Sequence, residues 1–205
     1  MADGLLGSLC GVMTHLSYRK KDVVLASGKK SDFYIAVGET LANPEGLHMA
    51  SEIVLDRIVD LFPGPGEIKS VRDLCPTTIQ AVAGVALGGV PLASAVTLAG
   101  MHHEPESVWL PTLIVRKEPK GHGAGGQIIG MEQFKRGLGM APVVLLEDVV
   151  TTGGSSLRAA QVLKDAGARV EAIIALVDRQ EGAAEAIAEA GFVFSSILAR
   201  SDFPS

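Results

Sequence analysis

The segment Glu147-Asp148-Val149-Val150-Thr151-Thr152-Gly153-Gly154-Ser155 carries the clearest chemical signal in the chain. It lies between the apolar run 143–146 (VVLL) and the stretch 155–166, whose amphipathic spacing predicts a helix. Glycines let backbone N–H groups turn toward a ligand, and the start of a helix adds partial positive charge. The hydroxyls of Thr151, Thr152 and Ser155 supply further donors, so a phosphate monoester suits such a turn. Glu147 and Asp148 fall at the carboxyl end of the expected strand, the edge at which open α/β sheets bind ligands. Adjacent carboxylates repel a phosphate unless they face something else. Ribose hydroxyls, or hydroxyls bridged by Mg2+, are suitable partners. The plainer alternative is a capped helix beside two solvated acids.

A second stretch, 116–130 (RKEPKGHGAGGQIIG), gathers Arg116, Lys117, Lys120 and His122 among glycines and few core residues. It suits a loop that closes over an anion, although Arg116-Lys117 could be a solvated charge pair and His122 a polar loop residue. Neither glycine-rich stretch is a Walker A loop, and GAGGQIIG fails GxGxxG because Ile128 takes the third glycine place. His102-His103-Glu104 lacks HExxH spacing and reads as cations at a helix end rather than a metal site.

The elements that must position these residues alternate strand and helix. Asn43-Pro44-Glu45 is a helix start, followed by Leu47, Ala50, Val54, Ile58 and Leu61 at helical spacing and stopped by 63–66 (PGPG). Before it, 23–26 and 32–37 read as short strands around the turn 27–30. The uncharged stretch 75–101 is long enough to span a bilayer. Its glycines and Pro91 instead divide it into a strand (81–86), a turn (87–90) and a helix. Runs 112–115, 143–146 and 172–177 predict strands, the last two central in a parallel sheet. A helix over 155–166 stopped by Gly167 completes a βαβ unit, and 185–190 is a further short helix.

The whole chain constrains the reading further. With 205 residues, 47% hydrophobic and 20% charged, it suits one domain that folds without staples. A net charge of −5 and 4% aromatic residues argue against nucleic-acid binding, so any anion chemistry needs locally concentrated cations. Cys10 and Cys75 form no CxxC pair, which fits a reducing compartment. The first residues lack the basic-then-apolar order of a signal peptide.

The run VVLLEDVVTTGGSS resembles the phosphoribosyl-diphosphate signature of type I phosphoribosyltransferases. RKEPKGHG looks like the catalytic loop of the orotate phosphoribosyltransferase family, and LASGKKSDFYI, GVALGGVPLA and DRQEG agree with it in order and spacing. The resemblance implies an α/β fold: a type I phosphoribosyltransferase-like parallel sheet flanked by helices. It further implies one phosphoribosyltransferase domain over 1–205, in which about 1–42 contributes a small N-terminal hood. The implied reaction joins orotate to 5-phosphoribosyl 1-diphosphate, giving orotidine 5′-monophosphate and diphosphate. Mg2+ would be held mainly by the donor and water, with no protein metal site.

By the same resemblance, Lys120, His122 and Asp148 are the catalytic residues. Glu147 and Asp148 hold the ribose, Val149 to Ser155 wrap the 5′-phosphate, and Arg116, Lys117, Lys120 and His122 bind diphosphate. Phe33, Tyr34, Ile35, Thr151 and Arg179 meet orotate. A cytoplasmic homodimer is implied in which loop 116–126 reaches the neighbouring site, with no nucleic-acid or membrane partner. Ala26 stands where many members have Lys, and Leu87-Gly88 where many have Tyr-Lys. Backbone N–H groups near Gly88-Gly89 replace those cations, or donor affinity is weaker. The alternatives are a purine-type phosphoribosyltransferase and a non-catalytic sensor of phosphoribosyl diphosphate.

Overall fold

Apolar runs too continuous for one-sided strands become the interior of a sheet covered on both faces. The computed structural model describes residues 2–24, 30–62, 79–102, 110–118, 126–134 and 141–204. Its strands are β1 (Tyr18–Val24), β2 (Lys30–Ile35), β3 (Ala81–Val85), β4 (Thr112–Val115), β5 (Ile128–Ile129), β6 (Pro142–Val150), β7 (Arg169–Asp178) and β8 (Val193–Ala199). Its helices are α1 (Ala2–Leu16), α2 (Val37–Ala42), α3 (Pro44–Leu61), α4 (Gly89–His102), α5 (Gly154–Asp165) and α6 (Ala183–Glu189).

Six strands pair in the order β5-β4-β3-β6-β7-β8, all parallel except the short edge strand β5. Helices α4, α5 and α6 bridge the parallel steps β3 to β4, β6 to β7 and β7 to β8. Period-two alternation along β6 sends Val144 and Leu146 into one core and Val143 and Leu145 into the other. The first core includes residues of α1, α3 and α4, and the second residues of α5 and α6. The orientation follows from βαβ geometry: every parallel strand ends at the same edge, where the turns after β3, β4, β6 and β7 meet.

Several boundaries move from the sequence reading. β6 does not stop at Leu146; its ladder with β7 continues through Val149↔Val177 and Val150↔Asp178, so both acids lie inside the strand. β1 begins at Tyr18, earlier than expected, because cross-strand pairing with β2 carries the polar run YRKK. Val37 opens α2 rather than ending a strand. Helix α1 was masked in the sequence by Gly4, Gly7 and Gly11; burying Leu9 and Met13, one turn apart, overrides their poor propensity. Asn43 does cap α3, its Oδ1 accepting from the Gly46 N–H at 3.0 Å. Gly167 closes α5 at φ +90°. Among the described residues no helix is long and apolar enough to cross a membrane. The expected stop at 63–66, Ala26, and His103-Glu104 lie outside the described residues.

Candidate active site

Because side chains alternate along β6, Glu147 and Asp148 face opposite sides of the sheet. Glu147 turns toward α5 and is only 4% exposed. Its Oε1 accepts hydrogen bonds from Ser155 Oγ at 3.1 Å and Ser156 Oγ at 2.9 Å. Burial pushes its carboxyl pKa up to about 7, against the opposing Ser156 hydrogen bond and with a further push from the Asp148 charge. This acid is therefore not solvated; it fastens the end of β6 to the first turn of α5.

Asp148 points the other way, toward the turn that joins β3 to α4. A Cβ at Gly88 would overlap the Asp148 carboxylate, so glycine is what lets this backbone approach it. Leu87, beside it, projects into solvent. Burial raises the Asp148 pKa above its ordinary value, while the Val149 backbone hydrogen bond and the charge of Lys117 pull it down. An oxygen-rich group at the strand end, half-buried beside a bare backbone turn, suits the hydroxyls of a sugar.

The cradle expected after the acids begins at Thr151. Val149 and Val150 are strand residues whose side chains pack into the two cores. The Val150 carbonyl already accepts from the Arg179 N–H at 3.0 Å. Gly153 then takes a left-handed φ of 77° and caps α5, its carbonyl accepting from Leu157 N–H at 2.9 Å. Thr151 is half-buried and Thr152 exposed. The result is a short turn of hydroxyls and amides at the positive end of a helix, the arrangement that receives phosphate.

Three cations collect beside that helix start. Arg116 and Lys117 leave β4 and line a cleft of about 130 Å3 with Ser155 and Arg158. Gln127 fixes the departure: its Nε2 donates to the Arg116 carbonyl at 2.9 Å, and its own carbonyl accepts from Arg116 N–H at 2.9 Å. Arg158 folds back along α5, its Nη1 standing 3.5 Å from where a Gly154 Cβ would lie. A guanidinium at a helix N-terminus is electrostatically unfavourable until an anion joins it. Lys120 and His122 lie outside the described residues.

The N-terminal hairpin presents the base candidates on two faces. Phe33 and Ile35 are buried, whereas Tyr34 between them is 43% exposed. The Phe33 ring lies against Tyr18 and Phe203, with centroids 5.7 and 5.8 Å apart. Arg179, at the end of β7, donates from Nη2 to the Phe33 carbonyl at 3.0 Å and pairs through Nε with Glu181 at 3.0 Å. Arg179 thus ties β2 to the sheet edge.

A family model for the phosphoribosyl transferase domain matches residues 67–204. Orotate phosphoribosyltransferase of Sorangium cellulosum is 42% identical over 196 residues, covering 95% of this chain and 91% of that protein. The chain belongs to the orotate phosphoribosyltransferase family. As a member it is a glycosyltransferase of pyrimidine biosynthesis, an enzyme of pentosyl transfer. Crystal structures agree. Orotate phosphoribosyltransferase of Mycobacterium tuberculosis, in complex with Fe(III) dicitrate, matches with a TM-score of 0.71 and 26% identity, covering 97% of this chain and 98% of that one. The Aeropyrum pernix orotate phosphoribosyltransferase matches with a TM-score of 0.67 and 30% identity, over 96% and 94% of the two chains.

Within this orotate phosphoribosyltransferase-family fold, Glu147, Asp148, Thr151, Gly153, Gly154, Ser155, Arg116 and Lys117 converge on one edge of the sheet. Phe33 and Arg179 form part of the support behind the hairpin, and Tyr34 is its exposed aromatic. Sequence reasoning missed Ser156 and Arg158. Arg158 stands four residues after Gly154, one helical turn on, and that spacing was the available signal.

Proposed function

We propose that this chain transfers the phosphoribosyl group of 5-phosphoribosyl 1-diphosphate to orotate, releasing diphosphate and orotidine 5′-monophosphate. The observation that carries this reading is Asp148 against the Gly88 turn and within the field of Lys117, on the strand that leads into the Gly153 cradle. In this arrangement the turn 151–155 takes the 5′-phosphate and Asp148 takes ribose hydroxyls. Glu147 acts chiefly by holding the Ser155-Ser156 turn. Arg116, Lys117 and Arg158 draw in the diphosphate, with Lys120 and His122 closing over it.

During transfer the bond from the anomeric carbon to the diphosphate oxygen breaks, and its electron pair leaves with diphosphate. A ring nitrogen of orotate supplies the pair for the new glycosidic bond and gives up its proton to water or to the departing diphosphate. Charge grows on the leaving group as the sugar becomes electron-poor, so cations beside the diphosphate bind the transition state better than the ground state. Closure of the glycine-rich stretch 121–126 over the site excludes water that would otherwise capture the sugar. Tyr34, exposed on β2, offers its ring face to the planar base.

The donor would bring Mg2+ with it. Glu147 is engaged by Ser155 and Ser156, while Asp148 meets the Gly88 turn. The cation would be held mainly by the donor and water, where it would offset diphosphate charge. We further assign the chain to a single phosphoribosyltransferase domain, with about 1–42 as a hood. It acts as a cytoplasmic homodimer whose loop 116–126 completes the neighbouring site.

The test is a base panel. Protein, Mg2+ and the donor are mixed with orotate or with purine bases, and base consumption is followed by absorbance. Turnover confined to orotate supports the reading. Turnover with a purine alone overturns it, and binding of the donor without any turnover would make the protein a sensor.

A further inference from the structure

The last residues of the chain fold back onto the hairpin that carries the base candidates. Resting on the proposed reaction, we propose that the carboxy-terminal turn 200–204 sets the position of β2 for base binding, with Phe203 and Arg200 as positioning residues. They act through Phe33 rather than by touching the reacting atoms.

Four observations meet here. Phe203 is 6% exposed and packs edge-on against Phe33, with its ring also stacked on Tyr18 at 6.1 Å. The Arg200 guanidinium lies 5.4 Å from the centroid of the Phe33 ring, and that of Arg179 lies 5.5 Å from the same centroid. Both distances permit cation–π attraction. The Tyr18 hydroxyl donates to the Pro204 carbonyl at 2.9 Å, so the turn grips β1 as well as β2. The turn is itself braced, the Ala199 N–H donating to Asp202 Oδ2 at 2.7 Å.

The need for such a grip is physical. β1 and β2 form a two-stranded sheet separate from the six-stranded one, and an isolated pair of strands is marginal in water. Alternation along β2 then makes the grip consequential. Holding Phe33 on the buried face fixes where Tyr34 projects on the other. A cleft of about 250 Å3 opens beside the cluster, lined by Tyr18, Phe33, Gln180, Arg200, Ser201 and Phe203 among others. The packing is therefore not solid, and losing one ring leaves Phe33 room to move. The expected effect is on the base side of the site, leaving the phosphate cradle at α5 as it is.

The experiment compares the full chain with Phe203→Ala, Phe203→Leu, Arg200→Met and Arg200→Lys. Arg200 is exposed, so its variants fold even if Phe203→Ala does not. In steady-state assays Phe203→Ala and Arg200→Met should raise the KM for orotate by about fivefold or more. The KM for the donor and kcat should stay within about twofold, and the conservative pair should recover near parental values. An unchanged orotate KM, or both KM values rising together, overturns the proposal. Hydrogen exchange of the unliganded enzyme gives a readout independent of the base. Amides of β2 should exchange about tenfold faster in Phe203→Ala while those of β7 do not change. Equal protection of β2 in both proteins overturns the positioning role. Absence of orotate turnover in the parental enzyme overturns only the underlying reaction.

Discussion

Glu147 and Asp148 are neighbours in sequence whose side chains turn to different partners, and that divergence decides their roles. Inside a strand, adjacent side chains face opposite ways, so one acid fastens α5 while the other meets the Gly88 turn. The buried Glu147 has a consequence for stability. Its carboxyl ionises near 4.5 when unperturbed and near 7 in the fold. Between those values the folded state keeps a proton that the unfolded chain has released. Stability contributed by this group is therefore complete below about pH 4.5 and is lost as pH rises toward 7, by about 3 kcal/mol. Glu147→Gln should flatten that part of the pH–stability curve in urea titrations, and an undiminished slope would show that Glu147 is not its source. Arg158 makes a second prediction at this scale. Arg158→Met should raise the donor KM about three- to tenfold with the orotate KM unchanged, because the cation faces the helix start proposed to receive phosphate. Equal donor KM values would remove Arg158 from the site.

Elements were legible where one local signal dominated. The capped start of α3, the β-branched strand β4, and the strand, turn and helix hidden in the uncharged stretch 75–101 follow from Asn43, TLIV and the Gly88-Gly89-Pro91 punctuation. Helix α1 did not, since its three glycines signal a loop and only tertiary burial of Leu9 and Met13 pays for them. The extension of β6 through both acids was equally hidden, because pairing with β7, not side-chain propensity, carries it to Val150. At the site, the cradle from Thr151 onward and the cations Arg116 and Lys117 were readable from the sequence, whereas Arg158 was not. The division of labour between Glu147 and Asp148 required strand register, and the support of Phe33 required contacts from residues 18, 179 and 203. The turn between β3 and α4 makes an element-scale prediction. Gly88→Ala should lower kcat/KM for the donor at least about tenfold, since its Cβ overlaps the Asp148 carboxylate. Activity near the parental value would mean that Asp148 yields freely and that the close approach is incidental.

For the molecule as a whole, a net charge of −5 says little about the site, where a few cations are clustered beside the start of α5. The two cores place α1, α3 and α4 on one face of the sheet and α5 and α6 on the other, and leave the strand ends to function. If loop 116–126 completes a neighbouring site, mixing Lys120→Ala with Asp148→Asn subunits should restore part of the activity that each variant lacks alone. Verified mixed dimers without recovery would confine each site to one chain. The central claim is tested most directly by the stoichiometry of the parental enzyme with Mg2+, donor and orotate. The account predicts that orotate disappears in step with equal amounts of orotidine 5′-monophosphate and diphosphate, and that Asp148→Asn, folded to the same extent, loses this turnover. Diphosphate released with no loss of orotate, or undiminished turnover in Asp148→Asn, would contradict it.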